Sequence, residues 1–148
     1  YLDNYPISSN SLEKFYHING NHFGQQYKDH LSDYQSWDQK EHANQWVLFP
    51  DNIGENLSLD ETSLSHGELY TVLTNKAGKG QKGTLIAIIE STQSDKIIDV
   101  LNKIPARQRN TVKEITVDMA SSMHKVVRSC FPNALRVIDR FHVQKISL

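Results

Sequence analysis

The amino-acid sequence predicts an α/β fold: a mixed sheet with the element order βββαβαβ, flanked by helices and preceded by a small helical segment. Three observations carry this expectation. From residue 57 onward, short β-branched runs alternate with segments of helical periodicity. The first three runs are joined by tight turns, whereas the later ones are separated by helix-length stretches. Residues 1–50 have a different texture: polar, rich in Asn, Gln, His and aromatic residues, with little β-branched content. The turn cluster Phe49-Pro50-Asp51-Asn52-Ile53-Gly54 marks the change. The expected organisation is a helical segment over residues 1–50 and an α/β core over residues 51–148.

In the first segment, Ser9-Asn10-Ser11 reads as an N-cap before a short helix at Leu12-Glu13-Lys14-Phe15-Tyr16. Ile18-Asn19-Gly20-Asn21 reads as a turn. A second helix follows from Phe23 to Leu31, with Phe23, Tyr27 and Leu31 at intervals of four. Two short helices joined by a glycine-containing turn are the outline of a helix-turn-helix. The second helix would then offer Gln25, Gln26 and Lys28, with Asn21 and His30, to a DNA groove, where such polar types read base edges. A plain helical hairpin with a polar face has the same pattern. Ser36-Trp37-Asp38 to Trp46 reads as a further helix or an ordered arm.

In the second segment, Leu57-Ser58-Leu59-Asp60 reads as a strand, Glu68 to Thr74 as another, and Asn75 to Lys82 as a hairpin turn. Leu85-Ile86-Ala87-Ile88-Ile89 reads as a buried central strand. Ser94 caps a helix that Pro105 ends. Val112 to Val117 is a strand that stops at Asp118, Ala120 to Cys130 a helix with Met123, Val126 and Val127 inward, and Ala134 to Ile138 a strand that stops at Asp139. Ligands of such sheets gather at the carboxyl ends of strands, where Asp60, Asp118 and Asp139 all fall.

Strand-end aspartates suit hard divalent cations, which take oxygen ligands. Neighbouring strands lie about 4.8 Å apart, so two such carboxylates can converge on one ion. Asp60 and Asp118 would do so if their strands pair in parallel. Each also has a plainer explanation. Asp118 and Asp139 can cap following helices, Asp139 has Arg140 beside it, and Asp60 can serve a turn. Glu61 follows Asp60 in an extended chain and should point the other way, so it is not counted as a ligand. Lys76, Lys79 and Lys82 form a basic hairpin tip able to meet a DNA backbone, although such a tip is usually only solvated.

Composition narrows the alternatives. The formal net charge of −1 argues against a strongly basic module that coats nucleic acid, without excluding local phosphate contacts. A single cysteine, Cys130, excludes an internal disulfide and a cysteine-based zinc cage. No two of the seven histidines have the i, i+4 spacing of a zinc helix. No apolar run approaches the roughly 20 residues of a membrane span, and a reducing cytoplasmic setting is expected.

Val117-Asp118-Met119-Ala120, Phe131-Pro132-Asn133-Ala134 and Val137-Ile138-Asp139-Arg140-Phe141-His142-Val143-Gln144-Lys145 resemble the core of the DDE transposases of bacterial insertion sequences, in particular the ISL-three type. Leu59-Asp60-Glu61-Thr62-Ser63, followed by Gly67-Glu68-Leu69-Tyr70-Thr71-Val72, resembles the segment around that family's first catalytic aspartate. The resemblance covers about residues 45–148. It implies a ribonuclease H-like fold, Mg2+ or Mn2+ as cofactor, and metal-dependent cleavage and strand transfer at transposon ends. It further implies DNA as partner, a homo-oligomer, and a nucleoid-associated cytoplasmic location. Asp60 and Asp118 match the first and second acidic positions, catalytic and metal-binding. Asp139 and His142 match supporting positions, with Asp139 the alternative for the second aspartate. Lys79 and Lys82 join Gln25, Gln26 and Lys28 as DNA contacts. The family's third acidic residue, a glutamate well past the Asp-Arg-Phe-His segment, has no counterpart before Leu148, and the sequence starts at Tyr1 without the family's zinc-binding module. A truncated transposase, inactive alone, is therefore expected; the alternative is a non-catalytic DNA-binding or regulatory remnant.

Overall fold

The computed structural model describes residues 7–63, 67–118 and 120–139. The chain divides into two units, Tyr1–Glu41 and His42–Leu148.

In the first unit a 3-10 turn at Ser9–Leu12 leads into helix α1, Glu13–Tyr16. Helix α2, Gly20–Gln26, continues as a π-helical turn over Tyr27–Leu31. The expected turn at Ile18–Asn21 is shorter than predicted, because Asn19 is already the N-cap: its side chain accepts the N–H of His22 at 2.8 Å. The Glu13 carboxylate accepts the N–H of Gly20 at 2.6 Å, satisfying a second donor at that helix start. Of the three apolar residues at intervals of four, Phe23 and Tyr27 are half-buried while Leu31 is exposed. The glycines explain how α2 approaches the 3-10 turn: a Cβ on Gly20 would lie 2.6 Å from the Asn10 Cα, and one on Gly24 would lie 2.6 Å from the Ser9 hydroxyl. No helix forms over the expected stretch from Ser36 to Trp46: a 3-10 turn at Asp33–Ser36 precedes it, and irregular turns follow up to β1.

The second unit is a six-stranded mixed sheet with helices, consistent with a ribonuclease H-like core. Its strands are β1 (Trp46–Leu48), β2 (Asn56–Ser63), β3 (Leu69–Asn75), β4 (Leu85–Ile89), β5 (Glu114–Val117) and β6 (Leu135–Ile138). The helices are α3 (Ser94–Leu101), α4 (Ala106–Arg109) and α5 (Ser121–Cys130). In the sheet the strands run β1-β4-β3-β2-β5-β6. The predicted βββαβαβ order holds from β2 to β6 except for α4, a four-residue helix that enters between α3 and β5. The sheet is extended at one edge by β1, which pairs antiparallel with β4, so it begins upstream of the Phe49–Gly54 cluster where the division was expected. Three residues of strand are too few for a periodicity to register. A further adjustment is at α3, whose cap is Gln93, leaving Ser94 as the first helical residue.

The chain folds this way because alternate strand residues are apolar. Leu57 and Leu59 on β2, Leu73 on β3, Ile115 and Val117 on β5 have no exposed surface. They meet Ile97 and Leu101 of α3 and Met123 and Val126 of α5, at the i, i+3/i+4 spacings that face one side of each helix. Each such side chain contributes about 1.5–3 kcal/mol on burial. Arg109 closes the far end, donating to the carbonyl of Ile104 at 2.9 Å and to that of Cys130, at the end of α5, at 2.8 Å. Cys130 is fully buried, and burial pushes its thiol pKa up to about 11 against the opposing charge of Arg109.

Two outcomes are expected. Gly20→Ala should destabilise the first unit by about 1–3 kcal/mol, because the backbone of Asn10 must shift and outweighs the helix preference for Ala. Faster amide exchange over residues 9–26 would register this, and slower exchange would contradict it. At pH 8 the native Cys130 should react with a thiol reagent roughly a hundredfold more slowly than the unfolded chain, since it is the thiolate that attacks. Equal rates would show that the thiol is accessible.

Candidate functional site

Register, rather than sequence proximity, brings the aspartates together. β2 and β5 run parallel with Leu59 beside Val117, and β5 and β6 run parallel with Val117 beside Ile138. Each of these three residues is followed at once by an aspartate. Asp60, Asp118 and Asp139 therefore form a row across three neighbouring strands, with Asp118 in the middle. The N–H of Asp139 donates to the Val117 carbonyl at 2.8 Å, which keeps the alignment one step past the ladder. Neighbouring strands are about 4.8 Å apart, so the backbones of Asp60 and Asp139 are separated by roughly twice that.

Asp60 departs from its expected place in one respect. It is not the end of its strand, because β2 continues to Ser63 against β3. It lies instead where the parallel ladder with β5 stops, which leaves the β5 side of β2 open from Asp60 onward. Leu57 and Leu59 turn into the core, so Ser58 and Asp60 share the opposite face. The Ser58 hydroxyl donates to Oδ2 of Asp60 at 2.7 Å.

Asp118 follows β5 and fastens the turn into α5. Its Oδ1 accepts the N–H of Ala120 at 2.9 Å. It is not the cap of α5, which is Ala120, a residue with no side chain to cap with. Among the described residues, neither Asp60 nor Asp118 forms an ion pair with a cationic side chain. No group of three or more His, Cys, Asp or Glu among the described residues is placed to hold a metal ion.

Glu61, set aside on sequence grounds, is electrically part of the row. Partial burial raises its pKa, and the negative charge of Asp118 raises it further. Alternation along β2 does separate it from Asp60, but the neighbouring strand supplies a carboxylate that the one-dimensional pattern could not reveal.

The remaining candidates are dispersed. His142 lies outside the described residues. Gln25, Gln26 and Lys28 belong to the first unit. Nε2 of Gln25 donates to Asp29 at 2.8 Å, the ammonium of Lys28 sits 4.2 Å from the centroid of the Tyr34 ring, and Gln26 is exposed. Lys79 and Lys82 are exposed on the turn after β3. Lys76, by contrast, folds back across the sheet, donating to the Thr116 hydroxyl at 2.9 Å and lying 3.7 Å from Glu114. That leaves two lysines at the tip rather than three. No helix among the described residues is long and apolar enough to cross a membrane.

A family model described as a transposase, of the ISL-three type, matches residues 57–147, a span that runs from the second residue of β2 through β6 and includes all three aspartates. No curated protein matches the chain.

The coupling of Glu61 to Asp118 can be measured. Asp118→Asn should lower the Glu61 pKa while leaving it above the ordinary carboxylate value, because burial, the larger cause, remains. A carbon-detected NMR titration of the Glu61 carboxyl reads this directly. An unchanged pKa would place Asp118 too far away to act.

Proposed function

The chain belongs to the ISL-three-type family of DDE transposases, and from that membership and the aspartate row we propose that it carries part of a metal-dependent site for phosphodiester cleavage and strand transfer in DNA transposition. The observation that carries the proposal is the register of β2 and β5, which sets Asp60 beside Asp118 inside the matched residues.

The donor set fits Mg2+ or Mn2+. Both groups are carboxylates, the oxygen ligands that hard cations take, and neighbouring strands bring them within reach of one ion. The pKa of Glu61 is raised first by partial burial and second by the charge of Asp118, and a cation at the row would relieve that second contribution. When bound, such ions activate the attacking oxygen and stabilise the leaving oxygen of a phosphodiester. The protein's own contribution is positional. Ser58 steadies one oxygen of Asp60, and the Ala120 N–H steadies one oxygen of Asp118, so each carboxylate is held by a local hydrogen bond.

Asp139 acts as a supporting residue. It adjoins Asp118 but stands two strands from Asp60, which favours Asp118 over Asp139 as the partner of Asp60. His142 joins it on the strength of the sequence resemblance. Gln25, Gln26 and Lys28, together with Lys79 and Lys82, contact DNA in this reading, and the working protein is a homo-oligomer in the nucleoid-containing cytoplasm. Asp60 and Asp118 supply two of the acidic residues of the metal-dependent site.

Mn2+ tests this without requiring turnover. Paramagnetic broadening should begin at the amides of Leu59, Asp60, Glu61, Asp118 and Ala120, and Asp60→Asn or Asp118→Asn should weaken the apparent affinity by about tenfold or more. Broadening that is centred elsewhere, or that is indifferent to both substitutions, would refute the assignment.

A further inference from the structure

A second feature of the α/β unit lies outside the aspartate row. Between α5 and the edge strand β6 is a cleft of about 720 Å3. Val127 and Phe131, both almost fully buried, form an apolar floor. His124, Lys125, Arg128 and Arg136 stand around it, and among the described residues no carboxylate lines it. For a chain whose formal net charge is −1, this is a local concentration of positive charge.

The charges are not equivalent. Lys125 is committed to Asp95 at 2.6 Å. Arg128 and Arg136 are exposed, and among the described residues neither forms an ion pair. His124 and Arg128 are four residues apart on α5, one above the other on the same face. Arg136 comes from β6 at the level of Ile115, a core residue, so it stands on the sheet face that α5 covers. Arg128, in the last turn of α5, also complements the helix dipole. That role does not account for Arg136, contributed by a different element to the same cleft.

The cleft's position indicates its ligand. Arg136 precedes Asp139 by three residues on one strand, roughly 10 Å of extended chain. Three residues along a strand also reverse the face, so Arg136 and the Asp60 carboxylate lie on opposite faces of the sheet, and a DNA backbone that reaches both passes round the β6 edge. The planar, permanently charged guanidinium suits phosphate oxygens, which it can grip through two hydrogen bonds.

We propose that the α5–β6 cleft, through Arg128 and Arg136, binds the phosphate backbone of the DNA that leads away from the aspartate row. The inference rests on the transposase reading and adds to it a path for the substrate along the β6 edge of the sheet. The contact is independent of sequence and positions the strand without reading bases.

The test uses the intact chain and a fluorescently labelled DNA duplex, with anisotropy measured across a range of KCl concentrations. Removing two phosphate contacts should reduce the slope of log K against log salt by about 1.8, at about 0.9 per contact. Arg128→Gln/Arg136→Gln should therefore show that reduction. Lys96→Gln/Arg107→Gln removes the same charge from exposed positions on α3 and α4 and should change the slope by less than half as much. Equal slopes for the two double variants would overturn the cleft proposal and leave the transposase reading standing. A parent chain that binds no DNA even at low salt would overturn both. If polyglutamate bound the parent and lost that binding in the cleft variant, while DNA binding was unaffected, the cleft would be a site for acidic peptide and the proposal would fail. Asp60→Asn provides the reverse control: the Mn2+ response should weaken with no reduction in the salt slope.

Discussion

The parallel pairing of β2 with β5 is the constraint on which the rest depends. Leu59 lies beside Val117, and both side chains are fully buried. A slip of one residue would turn the apolar set of one strand out to water and bring polar side chains against the helices. At about 1.5–3 kcal/mol for each buried aliphatic residue, that is prohibitive for a strand carrying Leu57 and Leu59, or one carrying Ile115 and Val117. The core therefore fixes the register, and the register aligns the aspartates that follow. The aspartate row is held in place by hydrophobic packing one residue away.

The same logic separates the roles along β2. Through Leu59 the strand has partners on both sides; beyond it only β3 remains. Asp60 is the first residue on the open side, anchored by antiparallel pairing yet free of a parallel neighbour. Asp118 reaches the same level at the end of its own strand, where the chain must turn into α5. Both carboxylates accept a hydrogen bond from within two residues. That local fastening limits the side-chain freedom to be lost when a ligand is bound.

Much of this was legible in the sequence. The runs Leu85-Ile86-Ala87-Ile88-Ile89 and Val112 to Val117 betray their strands by β-branching, although the second strand begins only at Glu114, and Met123, Val126 and Val127 betray α5 by their spacing. Trp46-Val47-Leu48 was not legible as a strand, because three residues carry no period and the edge position comes from pairing with β4. Nor was the proximity of Glu61 to Asp118, which depends on which strand lies next to β2. Lys76 looked equivalent to Lys79 and Lys82 until its path to Thr116 and Glu114 was known. What periodicity encodes is the face a residue takes; what it leaves out is the neighbour across the sheet.

In the proposed site Asp60 and Asp118 share one cation, while Asp139 does not hold it with either. A crystal soaked in Mn2+ and measured at the manganese absorption edge decides this. The expected result is an anomalous peak about 2.0–2.2 Å from carboxylate oxygens of both Asp60 and Asp118, the distance range for small, oxygen-ligated divalent cations. A peak held by Asp118 and Asp139 with Asp60 uninvolved, or no peak near the row at saturating Mn2+, would contradict it.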